Sequence, residues 1–194
     1  MPMPGIQKAY TDKLRLAILE YAEKRREVIK ASGDALHHAK RSIFSLHRGN
    51  RAEAEQKLAE VEAIYKNLNG KFKNEPSIFA EGSYLAGLEE YVEAKLFYNF
   101  VIGGKIGEIK EMRINGETYI AGLCDLPGEL HRYAIRAATE KNMEMVKKCA
   151  TMANEIIGVL IEFNLTSYLR TKFDQAKQAA QKLEVVVYEV SLRE

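Results

Sequence analysis

The sequence predicts an all-α protein, an antiparallel bundle of about six or seven helices. Its 194 residues contain four prolines, which leave proline-free runs at 5–75, 77–126 and 128–194. A proline inside a helix costs roughly 3 kcal/mol, so this spacing suits long helices. Within the runs, apolar residues recur at intervals of three and four, the period of one helix face. No repeat or linker divides the chain, and we expect a single helical domain over 1–194.

Three helices are predicted in the first half of the chain, at about 8–48, 51–70 and 77–102. The first would be about 60 Å long by its rise per residue, with Gly33 as a weak point and Gly49-Asn50 as its end. The third is apolar around most of its circumference, which indicates burial on several sides.

The second half begins with a glycine-dense stretch at 103–118, which predicts a loop. Three more helices are predicted at about 117–139, at about 142–163, and from Thr166 or Ser167 to the end. The apolar positions of the last helix alternate in steps of four and three: Leu169, Phe173, Ala176, Ala180, Leu183, Val187 and Val190. Such a seam is typical of a coiled coil, and we expect it to pack against a second copy of the chain.

The charge balance is close to neutral, with 29 Lys and Arg against 27 Asp and Glu, a net charge of +2. This excludes a strongly basic, histone-like binder, although a small sum also results from two segregated patches. The two cysteines form no CxxC pair, which favours a reducing compartment. Neither a signal-peptide pattern nor a run of about 18 apolar residues is present, and we expect a cytoplasmic protein.

Two pairs of carboxylates each share one helix face. Glu90 and Glu93 are three residues apart on the third predicted helix, and Asp125 and Glu129 are four apart on the fourth. If these helices pack together, the four carboxylates suit a hard divalent cation, Mg²⁺ or Mn²⁺. Such an ion lowers the pKa of bound water and stabilises the oxygens of a phosphodiester under attack.

Other interpretations of the acidic residues stay open at this point. Each pair is also typical of a solvated helix surface, and Asp125 is equally suited to an N-cap. A di-iron bundle requires Glu-x-x-His on two helices, a spacing that these glutamates lack. Zinc-binding spacings, a nucleophile–histidine arrangement and a phosphate-binding glycine loop are not found.

Basic residues gather on the first and last helices. Residues 24–48 hold seven Lys and Arg against two acidic residues. If these helices line one surface, they offer a track for RNA phosphates, although solvated helix faces show the same pattern. The candidate phosphate-binding residues are Lys40, Arg41, Arg48, Arg132, Arg170 and Lys172.

Four stretches of the chain resemble the translin superfamily, and within it the TRAX (translin-associated factor X) branch more than translin. They are 40–48 (KRSIFSLHR), 87–94 (GLEEYVEA), 119–130 (YIAGLCDLPGEL) and 183–193 (LEVVVYEVSLR). The resemblance implies an all-α protein that assembles into an octameric shell around RNA. It also implies the Mg²⁺-dependent endoribonuclease activity of the translin–TRAX complex, which resides in TRAX.

Carried over by motif, the catalytic and metal-binding residues are the same four carboxylates: Glu90, Glu93, Asp125 and Glu129. Translin lacks the two glutamates and the aspartate, so the chain differs from the non-catalytic branch at these positions. Pro127 stands where TRAX proteins carry threonine. We therefore expect a metal-dependent endoribonuclease that encloses and cleaves RNA as a homo-octamer. The alternatives are a non-catalytic shell that binds RNA or single-stranded DNA, and a structural helical adaptor.

Overall fold

The computed structural model describes residues 5–192; Pro2, Pro4 and Arg193 lie outside this range. The bundle consists of α1 (Lys8–His47), α2 (Arg51–Lys71), α3 (Gly82–Val101), α4 (Gly116–Thr139), α5 (Met143–Ile161) and α6 (Ser167–Ser191). A 3₁₀-helix at Pro76–Ala80 precedes α3, and the described residues contain no strand. The predicted fold class is confirmed.

Two helix boundaries show how local sequence sets the fold. α1 runs unbroken through Gly33 and ends at His47, and Gly49 just beyond it has a φ of +79°, the left-handed turn that glycine tolerates. The predicted start of the third helix at residue 77 is wrong. Glu81 adopts an extended conformation with φ −60° and ψ 130°, which separates the 3₁₀-helix from α3, and its carboxylate accepts a 2.6 Å hydrogen bond from Arg25.

The helices form two packed groups that meet between α3 and α4. α1 packs along α2 and α3, whereas α4 packs along α5 and α6. One hydrophobic core extends through all six helices. α3 contributes Tyr91, Leu96 and Phe97, which are all fully buried, so its predicted burial on several sides is confirmed.

The apolar seam of α6 packs against other helices of the same chain. Phe173, Ala176, Ala180 and Leu183 are buried, and α6 packs against α4 and α5. The expectation that this seam pairs with a second copy is therefore wrong at these positions, because helices of the same chain already cover them.

The first half of α1 extends beyond the rest of the bundle. Its apolar residues Leu14, Ile18 and Tyr21 are exposed, whereas Val28 and Leu46 further along the same helix are fully buried. The predicted apolar stripe therefore lies on one continuous helix, but only the second half of that helix packs against the core. Among residues 5–192, no helix combines the length and the hydropathy required to cross a membrane.

Candidate active site

The backbones of α3 and α4 approach closely at Gly122. A Cβ atom added there would lie 2.7 Å from the carbonyl oxygen of Glu89 and 2.7 Å from the Cβ of Val92, so no side chain fits. Asp125 and Glu129 follow Gly122 by three and seven residues and therefore share its helix face. The glycine thus lets the acidic face of α4 lie directly against α3.

Four carboxylates meet at this contact and interact electrostatically, and we call them the carboxylate cluster: Glu90, Glu93, Asp125 and Glu129. Pro127 lies inside α4 without ending it. The ring removes one helical hydrogen bond, yet Asp125 and Glu129 on either side of it both belong to the cluster. The fold packs α3 against α4, which places the two acidic motifs on neighbouring helices, and their role as a metal site stays a prediction.

The two cluster carboxylates of α3 differ in their positive partners: Glu90 has one nearby, and Glu93 has none at hydrogen-bond distance among the described residues. Glu93 is 9% exposed, and within residues 5–192 no hydrogen bond or ion pair satisfies its carboxylate. Burial, followed by the charges of Asp125, Glu90 and Glu129, holds the pKa of Glu93 well above its usual range. Burial also raises the pKa of Glu90, against the effect of Lys40, whose Nζ lies 3.7 Å from Oε2.

The carboxylates of α4 are paired with cations. Glu129 contacts Nε2 of His47 and accepts a 2.9 Å hydrogen bond from Arg132. Burial acts to raise the pKa of Glu129, but His47 and Arg132 outweigh it and hold this pKa below its usual value. Asp125 accepts a hydrogen bond from Lys172. Burial still raises the pKa of Asp125, because Lys172 offsets it only in part.

Lys172 lies inside the site. Its side chain is only 12% exposed, and its Nζ contacts both Asp125 and Glu89. Nζ also lies 5.3 Å from the ring centroid of Tyr168, whose hydroxyl donates a 2.8 Å hydrogen bond to Oε1 of Glu89. The sequence predicts Lys172 as a phosphate-binding residue, whereas in the structure its ammonium group is paired with two carboxylates.

The other candidate phosphate-binding residues are exposed. Lys40 and Arg132 lie at the edge of the carboxylate cluster, since they pair with Glu90 and Glu129. The remaining three are placed elsewhere: Arg41 donates to Glu53, Arg48 lies over the ring of Phe44, and Arg170 donates to Asp174. The structure therefore brings two of the six residues to the edge of the cluster.

Sequence reasoning missed three side chains that contact the site. They are His47, Glu89 and Tyr168, none of which is among the residues predicted to form the site. A signal for His47 was available, since it belongs to the block at 40–48. No spacing along the chain, however, predicts its pairing with Glu129, 82 residues away on another helix.

A family model of the Translin family matches residues 23–194. The chain belongs to the Translin family. It is 28% identical to an uncharacterized protein of Methanocaldococcus jannaschii, over 88% of this chain and 79% of that protein. It is 24% identical to the translin-associated protein X homolog of Schizosaccharomyces pombe, over 90% of this chain and 84% of that one.

Solved structures show the same fold. The structure of AfC3PO in complex with duplex RNA superposes on this Translin-family chain with a TM-score of 0.87 at 23% identity, covering 95% of this chain and 98% of that chain. The structure of apo-NeC3PO gives a TM-score of 0.85 at 24% identity, covering 96% and 100%. These similarities establish the helical arrangement of the family for this chain.

By donor type alone, the carboxylate cluster suits a hard divalent cation. All four members of the carboxylate cluster offer oxygen, the ligand that Mg²⁺ and Mn²⁺ prefer. Glu93 supports the fit, because a buried carboxylate without a partner is costly unless a cation neutralises it. Within residues 5–192, no three acidic, histidine or cysteine side chains are arranged closely enough to hold a metal ion. Instead, basic side chains contact the carboxylate oxygens on α4: Lys172 contacts Asp125, and His47 and Arg132 contact Glu129.

Proposed function

We propose that the protein is a metal-dependent endoribonuclease of the TRAX type. The observation that carries the proposal is the carboxylate cluster, in which α3 and α4 bring four carboxylates together. One of them, Glu93, is buried without a cation of its own. The proposed metal-binding and catalytic residues are Glu90, Glu93, Asp125 and Glu129.

The residues of the chain have distinct roles in this proposal. A bound Mg²⁺ or Mn²⁺ supplies a Lewis acid for the phosphodiester and lowers the pKa of bound water. The four carboxylates hold the ion, and His47 orients Glu129 through its ring nitrogen. Lys40 and Arg132, exposed at the edge of the cluster, hold the phosphate next to the bond that is cleaved.

We further propose that the substrate is RNA and that the protein acts as a homo-octameric shell in the cytoplasm. AfC3PO, which shares the fold, has been solved in complex with duplex RNA. Arg41, Arg48 and Arg170 are exposed cations that can contact phosphates away from the cluster. The exposed apolar face on the first half of α1 offers a surface for assembly with further copies.

The second candidate function is a non-catalytic shell that binds RNA or single-stranded DNA. The observation that favours it is the pairing of Asp125 and Glu129 with Lys172, His47 and Arg132. Paired in this way, the α4 carboxylates serve as structural ion pairs. This candidate predicts nucleic-acid binding that weakens with salt, and no cleavage with any metal.

Labelled RNA incubated with pure protein tests the proposal. We expect cleavage with Mg²⁺ or Mn²⁺ and none with EDTA. Asp125→Ala and Glu129→Ala should each lower the rate by a factor on the order of a thousand, because each removes an oxygen ligand. Both variants should keep their helical circular dichroism and their retention of RNA. Asp174→Ala, which removes an exposed carboxylate on α6, is the matched control and should cleave normally.

Each other outcome excludes one interpretation. Cleavage that survives Asp125→Ala or Glu129→Ala, or that continues in EDTA, contradicts the assigned site. Salt-sensitive retention of RNA by the wild-type protein without cleavage identifies the non-catalytic shell. If the wild-type protein shows neither retention nor cleavage, it is a structural adaptor.

A further inference from the structure

Lys172 is a buried cation shared by two carboxylates. Its ammonium group contacts Asp125, a member of the carboxylate cluster, and Glu89, which lies outside that cluster. A lysine carries its charge at neutral pH as a rule, and two carboxylate partners favour the charged form. Asp125 is therefore neutralised by the protein itself.

A divalent ion and an ammonium group compete for the same oxygen. Lys172 contacts Oδ2 of Asp125, one of the two oxygens with which this carboxylate would bind Mg²⁺. Two cations held so close together in a partly buried site repel each other strongly. Binding of the metal to Asp125 therefore requires that Lys172 move away or that the ion bind more weakly.

Glu89 gives Lys172 a place to remain when it leaves Asp125. The carboxylate of Glu89 is already in contact with Nζ and is held by the hydroxyl of Tyr168. The face of the Tyr168 ring lies beside the same ammonium group. A small displacement thus transfers Lys172 from two carboxylates to one without leaving a buried charge unpaired.

The other cations at the cluster lack this arrangement. Arg132 is mostly exposed and bonds only Glu129, so water can take over its hydrogen bonds. Lys40 is mostly exposed as well and lies 3.7 Å from Glu90. Lys172 alone among these three combines burial with a second carboxylate outside the cluster.

We propose that Lys172 is a built-in competitor of the metal ion, which neutralises Asp125 in the metal-free site and withdraws to Glu89 when a divalent cation binds. This inference rests on the proposed function. It makes Lys172 and Glu89 positioning residues that set the metal affinity, with no direct part in the cleavage of RNA.

Titration of the purified protein with Mn²⁺ tests the proposal, with free Mn²⁺ followed by electron paramagnetic resonance. Lys172→Met removes the competitor, so Mn²⁺ should bind roughly tenfold tighter or more. Glu89→Gln leaves Lys172 with Asp125 alone, so Mn²⁺ should bind roughly tenfold more weakly. Lys177→Met, a lysine on the same helix that pairs with Asp174, is the control and should leave the affinity unchanged.

The double variant Lys172→Met, Glu89→Gln separates competition from a general effect of charge. If Glu89 acts through Lys172, the Glu89→Gln substitution loses most of its effect once Lys172 is absent. An undiminished effect in the double variant contradicts the transfer of Lys172 to Glu89. If Lys172→Met does not fold, Lys172→Gln, which keeps a hydrogen-bond donor without the charge, replaces it in the single and the double variant.

The remaining outcomes distinguish this inference from the proposed function. Binding of Mn²⁺ by the wild-type protein that is unchanged or weaker in Lys172→Met contradicts only the role of Lys172. The absence of Mn²⁺ binding from both the wild-type protein and a folded Lys172→Met variant contradicts the metal-dependent function itself. Tighter binding in Lys172→Met together with weaker binding in Glu89→Gln supports both.

Discussion

The two acidic helices contribute carboxylates to one site in different electrostatic states. On α3, burial raises the pKa of Glu90 and Glu93, and Glu93 has no cation within hydrogen-bond distance among the described residues. On α4, Asp125 is held by Lys172, and Glu129 by His47 and Arg132. At nearly the same spacing, α3 thus holds one carboxylate without a cation at hydrogen-bond distance, whereas both cluster carboxylates of α4 have a basic partner.

The difference shows what each helix contributes. A buried carboxylate without a partner is unfavourable until a cation neutralises it, so in the proposed metal site α3 would provide much of the attraction for the ion. The paired carboxylates of α4 are oriented before the ion arrives, which lowers the cost of ordering them. A site made only of buried carboxylates without partners would be unstable without a metal. A site made only of carboxylates that already have basic partners would attract a metal weakly.

The largest effect on stability is expected when the two helices are pushed apart. Gly122→Ala places a methyl group 2.7 Å from the backbone of α3, where overpacking costs up to about 3 kcal/mol. We expect a clearly lower midpoint in urea unfolding and weaker Mn²⁺ binding, since the acidic faces no longer meet. Gly128→Ala on the same helix has open space at its Cβ and should not lower the midpoint. Equal midpoints for the two variants would contradict the close contact.

Removing a satisfied carboxylate should cost stability. Glu129→Gln weakens the contacts with His47 and Arg132, and hydrogen bonds to charged groups contribute about 2 kcal/mol each. Because its pKa is lowered in the folded protein, Glu129 stabilises the fold above its usual pKa, and that contribution disappears as the pH falls through the lowered value. Urea unfolding at pH 7 should show the loss. Glu140→Gln, which removes an exposed partner of Arg136, should change little by comparison.

Removing the unsatisfied carboxylate should have the opposite sign. Glu93→Gln replaces a buried group that resists ionisation, and we expect metal-free stability at pH 8 to rise by about 1 kcal/mol. The folded pKa of Glu93 is raised above 4.5, so the native state binds the extra proton and wild-type stability falls as the pH rises through this range. Urea unfolding from pH 5 to pH 8 should show that slope in the wild-type protein and a shallower slope in Glu93→Gln. A lower stability of the variant would contradict the account of α3.

The fold and the four members of the cluster could be predicted because both follow from local patterns. A three-four apolar period defines each helix, and carboxylates three or four apart share a face whatever the helix packs against. The distinction between Glu93 and Glu129 could not be predicted, because it depends on partners from α1 and α6 that are distant in sequence. Lys172 illustrates the limit. On α6 it is one of several basic residues, and only packing reveals that its charge is directed inward.

The measurement that tests the central claim most directly is Mn²⁺ binding by variants from each helix. The account treats the α3 and α4 carboxylates as one site, so Glu93→Gln and Asp125→Asn should each reduce Mn²⁺ affinity by a factor of about ten to a hundred while the protein stays folded. Asp174→Asn on α6 should bind as the wild-type protein does. Wild-type affinity in either Glu93→Gln or Asp125→Asn would show that the substituted residue is not a ligand, and would contradict the four-carboxylate site.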